Sequence, residues 1–213
     1  MRGLVRVGAA VPSLALGNVK ENMKRHLAMM REAKEKHVSI VSFPELSLTG
    51  YTCGDLFFQR RLLDDVTDAL LALKDEMPEG ILAVVGAPLE IEGALYNCAV
   101  VLHKGEIISA VPKTFLPNNG EFYEKRWFQS GDARRDASVA IPKLKTDVCR
   151  QAIFETEDGV RFGIELCEDL WAPLPPSTML SVEGAEIILN LSASNELLSK
   201  REYRQQLISQ QSA

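Results

Sequence analysis

The first half of the chain alternates short apolar runs with long amphipathic segments. Residues 4–11 and 38–43 are rich in Val, Ala and Ile and predict strands. Residues 19–36 and 60–76 each carry an apolar stripe at helical spacing. The two stripes are Met23, Leu27, Met30 and Ala33, and Leu63, Val66, Leu70 and Leu73. The order strand–helix–strand–helix predicts an α/β domain whose second strand is buried on both faces.

The middle of the chain predicts a run of hairpins. Strands over 81–89, 94–103 and 107–111 are separated by the turns Glu92-Gly93 and Lys104-Gly105, and residues 112–136 have the composition of a loop. The remaining assignments are strands over 151–156, 161–166 and 186–191, with helices over 176–184 and 200–211. Because hairpins follow an α/β opening, we expect a mixed sheet.

Composition and charge narrow the function class. The 213 residues are 46% apolar and 25% charged, which is typical of a soluble globular protein. A net charge of -5 without any long Lys/Arg run argues against a nucleic-acid partner. Residues 1–7 lack the apolar core of a signal peptide, and no apolar run is long enough to span a membrane. We therefore expect a cytoplasmic protein that binds neither nucleic acid nor membrane.

The cysteines and histidines predict neither a disulfide framework nor a metal site. No Cys-x-x-Cys pair occurs, and the histidines have no ligand spacing. The residues concerned are Cys53, Cys98, Cys149, Cys167, His26, His37 and His103. His26 and His37 lie on a highly charged helical stretch and are expected to be solvated. Three of the cysteines are expected to be structural, and Cys167 is the exception.

Three chemically active side chains each follow a predicted strand. Glu45 follows the strand over 38–43, Lys113 that over 107–111 and Cys167 that over 161–166. Ligands of α/β proteins bind at the carboxyl ends of strands. A carboxylate can take the proton of a thiol, and an ammonium can stabilise thiolate and the oxyanion that forms on attack. The set predicts amide hydrolysis through a thioester.

The segments around these residues carry a family resemblance. Residues 43–51 (FPELSLTGY), 112–117 (PKTFLP) and 165–171 (ELCEDLW) resemble, in order, the three signature blocks of the nitrilase, or carbon–nitrogen hydrolase, superfamily. The resemblance implies an α-β-β-α sandwich and a homo-oligomer. It also implies Glu45 as general base, Lys113 as transition-state stabiliser and Cys167 as nucleophile, with Glu121 as a second, supporting glutamate.

Within this superfamily the sequence is most similar to the glutaminase domain of glutamine-dependent NAD synthetases, in residues 118–128 and 191–204. The resemblance implies one domain over 1–213 and glutamine contacts from Glu168, Trp171, Ser194 and Lys200. That branch usually has Tyr where this chain has Asn119, which removes an aromatic wall of the pocket. The family domain is also longer, so a C-terminal truncation is expected. No cofactor is expected in this domain; ATP and Mg would belong to a synthetase domain, whose phosphate loop is absent here.

Three functions remain open at this point. The first is the glutaminase part of an NAD synthetase, supplying ammonia to a synthetase domain that amidates deamido-NAD. The second is a stand-alone hydrolase of another small amide or a carbamoyl compound. The third is a catalytically silent fragment. Ammonia release from glutamine and from other amides separates the three.

Overall fold

The computed structural model describes residues 4–133 and 138–213. Residues 1–3, within the segment tested for a signal peptide, and residues 134–136, at the end of the predicted loop, lie outside the described residues. The elements, in chain order, are β1 (Val7–Ala9), α1 (Val19–Glu35), β2 (Ile40–Ser42), α2 (Arg60–Glu76), β3 (Leu82–Ile91), β4 (Ala94–His103), β5 (Glu106–Pro112), β6 (Ser138–Ile141), β7 (Thr146–Cys149), β8 (Ile153–Glu155), β9 (Arg161–Leu166), α3 (Pro176–Val182), β10 (Ile187–Leu191) and α4 (Lys200–Gln211).

The strands form two sheets. A seven-stranded sheet has the order β1-β2-β3-β4-β5-β7-β6, and a three-stranded sheet has the order β10-β9-β8. Strands β1, β2 and β3 are parallel, whereas β3, β4 and β5 form antiparallel hairpins. In the smaller sheet β9 is parallel to β10 and antiparallel to β8. The predicted mixed sheet is therefore confirmed.

Alternate side chains of the central strands enter two different cores. Val41 belongs to the core between the larger sheet and helices α1 and α2, while its neighbour Ile40 belongs to the core between the two sheets. From the smaller sheet, Phe162 and Leu189 enter this inter-sheet core, and α3 covers the other side of β9 through Leu180 against Gly163. A strand that is apolar on both faces is thus required at the centre of the molecule.

Most element boundaries match the expectations from periodicity. Helices α2 and α4 and strands β4 and β9 have the predicted bounds. The hairpin of β6 and β7, around a 3-10 turn at Pro142–Leu144, was not predicted. These strands are only four residues long, which is too short for alternation to stand out.

The expectation that His26 is solvated is wrong. His26 is fully buried on the inner face of α1; its Nδ1 lies 2.7 Å from the Asn22 carbonyl oxygen and its Nε2 lies 2.9 Å from Ser47 Oγ. Burial lowers the pKa of His26 to about 4, against the hydrogen bond to Asn22. The neutral ring is therefore part of the core and supports the turn that follows β2.

Gly86 on β3 makes room for that turn. A Cβ at this position would lie 2.3 Å from the Pro44 carbonyl oxygen and 2.4 Å from the Leu46 backbone nitrogen. The backbone at Glu45 is consequently seated directly on the strand, where no side chain fits. Leu46 in the same turn has a φ of 51°, so the turn is also locally strained.

None of the helices in the described ranges is long and apolar enough to cross a membrane. Within the same ranges, no group of three or more His, Cys, Asp or Glu side chains is arranged to hold a metal ion. Among the described residues, no disulfide joins Cys53, Cys98, Cys149 or Cys167.

Candidate active site

Glu45, Lys113 and Cys167 converge between the two sheets, and all three are buried. Glu45 and Lys113 follow β2 and β5 of the larger sheet, whereas Cys167 follows β9 of the smaller one. Lys113 Nζ lies 2.6 Å from Glu45 Oε1, and the Ala193 backbone N–H, after β10, donates to Glu45 Oε2 at 3.0 Å. The structure therefore brings together the three residues on which the sequence prediction rests.

Cys167 is presented by a strained turn. It is the first residue of a 3-10 turn over Cys167–Trp171 and has a φ of 42°, a backbone conformation that residues other than glycine rarely adopt. Burial, and then the charge of Glu45, raises the pKa of the Cys167 thiol to about 12, although Lys113 and hydrogen bonds with Ser192 and Ala193 act to lower it. The thiol is thus protonated at neutral pH and needs a base when it reacts.

A second glutamate, Glu124, also contacts the Lys113 ammonium. Lys113 Nζ donates to Glu124 Oε1 at 2.6 Å as well as to Glu45. Burial opposes the charged form of Lys113, but Glu45 and Glu124 together hold its pKa above the usual value. Burial and the neighbouring Glu45 raise the pKa of Glu124 against the effect of Lys113. One ammonium thus lies between two carboxylates, and all three side chains are almost fully buried.

Glu121, predicted as the supporting glutamate, does not contact Lys113 in this structure. It lies exposed on the surface, where its carboxylate accepts a hydrogen bond from Asn195 Nδ2. The residue three positions later, Glu124, is 1% exposed and forms an ion pair with Lys113. The segment turns inward only at the 3-10 turn over Glu124–Arg126, so the placement is corrected from Glu121 to Glu124.

Asp169 ties the thiol turn to the lysine segment. Its carboxylate accepts hydrogen bonds from the backbone N–H groups of Leu166, Thr114 and Phe115, at 3.0, 3.1 and 2.7 Å. Burial raises the pKa of Asp169 to about 7, although the backbone donors and Lys113 lower it. A single side chain thereby fixes the segments that carry Lys113 and Cys167 relative to each other.

The four predicted substrate-binding residues lie next to this buried cluster and are called its rim here: Glu168, Trp171, Ser194 and Lys200. Lys200 Nζ donates to Ser194 Oγ at 2.7 Å and lies 5.3 Å from the centroid of the Trp171 ring. Glu168 is half-buried; burial and the charge of Glu45 raise its pKa, while Lys113 and Lys200 lower it. The rim therefore carries a carboxylate, an ammonium, a hydroxyl and an indole ring.

A cavity of about 500 Å³ opens next to the rim. Its lining includes Glu168, Trp171, Phe115, Lys125 and Asp132. Cys167 is not among the residues that line this cavity, which borders the buried cluster through Glu168 and Trp171.

The family model described as carbon-nitrogen hydrolase matches residues 6–213, which is nearly the whole chain. The chain belongs to the carbon-nitrogen hydrolase family. An amidase of the nitrilase superfamily from Nesterenkonia AN1 superimposes on 97% of the chain and on 71% of its own length, with a TM-score of 0.76 at 16% identity. This likeness concerns the fold alone and confirms the predicted α-β-β-α sandwich.

Two relatives of this carbon-nitrogen hydrolase are more similar in sequence. A glutamine-dependent NAD(+) synthetase from Mycobacterium bovis is 36% identical over 99% of the chain, which corresponds to 31% of the relative. The crystal structure of a glutamine-dependent NAD(+) synthetase from Cytophaga hutchinsonii matches 96% of the chain and 33% of its own, with a TM-score of 0.82 and 29% identity. The chain thus spans about a third of the length of these relatives.

Two further residues at the centre of this carbon-nitrogen hydrolase were not predicted as site residues. The Tyr51 hydroxyl donates to Glu124 Oε1 at 2.6 Å; burial, and then the charge of Glu124, raises the pKa of Tyr51 above its usual range. Asn97 on β4 contacts both glutamates through its amide. Tyr51 lies within the first signature block, which was a usable signal. The sequence holds no such signal for Asn97, because a single polar residue in an apolar strand does not reveal which side chains it contacts.

The reactivity of Cys167 in this hydrolase should depend on pH as that of a buried thiol does. Because the pKa of Cys167 is raised to about 12, its alkylation rate by iodoacetamide should still rise about tenfold per pH unit between pH 8 and 10. The rate is measured by mass spectrometry of the peptide that contains Cys167, with the half-buried Cys149 as internal comparison. A rate that levels off near pH 7 would contradict this, since it would indicate a preformed thiolate.

Proposed function

We propose that this chain is a glutaminase that hydrolyses the side-chain amide of glutamine through a thioester on Cys167. Its ammonia would serve the synthetase part of a glutamine-dependent NAD synthetase. The observation that carries the proposal is the convergence of Cys167 with Glu45 and Lys113, which both interact with its thiol, in one buried cluster. The substrate is taken from the name of the relatives, and the chain's 36% identity to one of them over 99% of its length supports that transfer.

The chemistry follows from the protonated state of the thiol. Glu45 takes the thiol proton as the sulfur attacks the amide carbon; a C–S bond forms, the π bond of the carbonyl breaks, and its oxygen becomes an oxyanion. Lys113 uses two of its three N–H groups on Glu45 and Glu124, and the third can donate to the oxyanion. Collapse breaks the C–N bond, and the proton held by Glu45 leaves with ammonia.

The thioester is then opened by water. Glu45, again ionised, takes a proton from the water as its oxygen attacks the thioester carbon, and the sulfur leaves and regains that proton. The products are glutamate and the original thiol. The proposed reaction steps use no metal or cofactor. ATP and Mg are proposed only for the synthetase part of the parent enzyme. Homo-oligomer formation and a cytoplasmic location remain predictions.

The rim is proposed to hold the amino-acid end of glutamine. The α-ammonium is complementary to Glu168, and the α-carboxylate is complementary to Lys200 and Ser194. Asn119, which replaces the usual aromatic residue, is exposed. Phe122 lies 6.0 Å from Lys200 Nζ and 6.2 Å from the Tyr51 ring, so an aromatic side chain is nevertheless present at the rim.

Ammonia release from the purified chain tests this proposal. L-glutamine and a panel of other small amides and carbamoyl compounds are compared, with Cys167→Ala as background and mass spectrometry to detect an acylated Cys167. Glutamine hydrolysis that depends on Cys167 is expected. Ammonia from another amide but not from glutamine would replace the proposal with a stand-alone amidase, and no turnover with any compound would indicate a silent fragment.

A further inference from the structure

One asparagine contacts every component of the buried charge cluster except the thiol. The Nδ2 of Asn97 donates to Glu45 Oε1 at 2.7 Å and makes a longer contact of 3.5 Å to Glu124 Oε2. The backbone carbonyl oxygen of Asn97 accepts a hydrogen bond of 2.8 Å from the backbone N–H of Lys113. Asn97 is fully buried, so these contacts are shielded from water.

The two carboxylates determine which way the amide points. An ionised carboxylate only accepts hydrogen bonds, so the nitrogen end of the Asn97 amide must face Glu45 and Glu124. Its Oδ1 is then buried without a partner among residues 4–133 and 138–213. An unsatisfied buried oxygen destabilises the fold, so stability alone does not explain an amide at this position.

The position on the strand points to the same role. Ala99 and Val101, two and four residues further along β4, face the core between the sheets, whereas Cys98 faces the core under the helices. Asn97 therefore points from the larger sheet toward the layer that carries Cys167. From there its amide fixes Oε1 of Glu45, while the Ala193 N–H holds Oε2.

We propose that Asn97 is a positioning residue that keeps Glu45 ionised and oriented as the base for Cys167. The inference deepens the proposed function and rests on Glu45 acting as that base. Removing the donor should favour the protonated form of Glu45, so the enzyme would lose activity at a higher pH than the unmodified chain. The titratable groups that interact with Glu45 are Lys113, Glu124, Cys167, Glu168 and Tyr51.

The test compares Asn97→Leu with the unmodified 213-residue chain. Leucine has a similar volume and no donor. The acidic limb of the pH profile of kcat/KM should move to higher pH by about one to two units, since a hydrogen bond to a charged group of the usual strength corresponds to that shift. At a fixed pH near 7, kcat should fall with little change in KM, because Asn97 does not line the rim.

A second readout does not depend on turnover. In chains labelled with ¹³C at the glutamate carboxyl carbons, the NMR signal of Glu45 is assigned by its loss in Glu45→Gln. Its titration midpoint in Asn97→Leu should move in the same direction as the acidic limb. If the unmodified chain does not hydrolyse glutamine, the proposed function fails, whereas the NMR titration still decides the role of Asn97.

Cys98→Ala is the matched control. It removes a fully buried sulfur atom from the adjacent position of β4, on the opposite face. Its stability should fall while its pH profile and the Glu45 titration stay at the values of the unmodified chain. Asn97→Ser, which keeps one hydroxyl donor, serves if Asn97→Leu does not fold, and a smaller shift of the same sign is expected. An unchanged titration of Glu45 in a folded Asn97 variant overturns the inference.

Discussion

Replacing Cys167 by alanine is expected to reduce amide hydrolysis by on the order of 10⁴-fold or more, because without the sulfur no covalent intermediate can form. The residual rate would come from the polarised amide and from water. Ammonia release under saturating amide measures the effect, and mass spectrometry of the intact chain should show no acylated species. The fold should persist, since alanine fits wherever cysteine does.

Cys149→Ala is the control for that experiment. Cys149 is a half-buried thiol at the end of β7 and takes no part in the buried cluster. Its replacement should leave hydrolysis unchanged. Hydrolysis by Cys167→Ala within tenfold of the unmodified rate would contradict a thioester mechanism and would move the nucleophile elsewhere.

Replacing Lys113 by methionine should abolish hydrolysis and also destabilise the fold by about 3–5 kcal/mol, the usual effect of removing one partner from a buried ion pair. The reason is that Glu45 and Glu124, both 1% exposed, would keep their charges without a cation. Urea unfolding followed by circular dichroism at pH 7 measures the free energy of unfolding, and ammonia release measures activity.

A second substitution separates charge from packing in that result. Glu124→Gln removes one of the two unpaired charges, so the double variant with Lys113→Met should recover part of the lost stability but none of the activity. Lys36→Met is the surface control, because Lys36 pairs with Glu32 on an exposed helix face and should change stability little. A double variant no more stable than Lys113→Met alone would show that lost packing, not unpaired charge, causes the destabilisation.

The sequence predicts those parts of the molecule in which local pattern and tertiary environment agree. The stripes of α1 and α2 and the runs of β2 and β9 place Glu45 and Cys167 at strand ends, and the three signature blocks order them with Lys113. Distances could not be predicted, because the contacts of Lys113 join segments 68 and 11 residues apart in the chain. Only the assembled sheets bring these segments together.

Burial explains the predictions that failed. His26 is polar, yet it occupies a core position of α1 because Asn22 and Ser47 satisfy its ring nitrogens. Glu121 and Glu124 are chemically identical residues in one short segment, and only the backbone path decides which of them enters the interior. A pattern of apolar positions cannot identify a buried polar residue whose partners lie elsewhere in the chain.

The division of the active site between two sheets makes catalysis sensitive to how those sheets are stacked. Glu45, Asn97 and Lys113 move with the larger sheet, and Cys167 moves with the smaller one. The layer between them is filled by side chains such as Phe162, which is fully buried and stacks on Phe154 with ring centroids 5.2 Å apart. A shift of one sheet against the other would increase the distance between the Cys167 sulfur and the Glu45 carboxylate without changing either side chain. The rate of turnover should therefore depend on how side chains in the core between the sheets are packed.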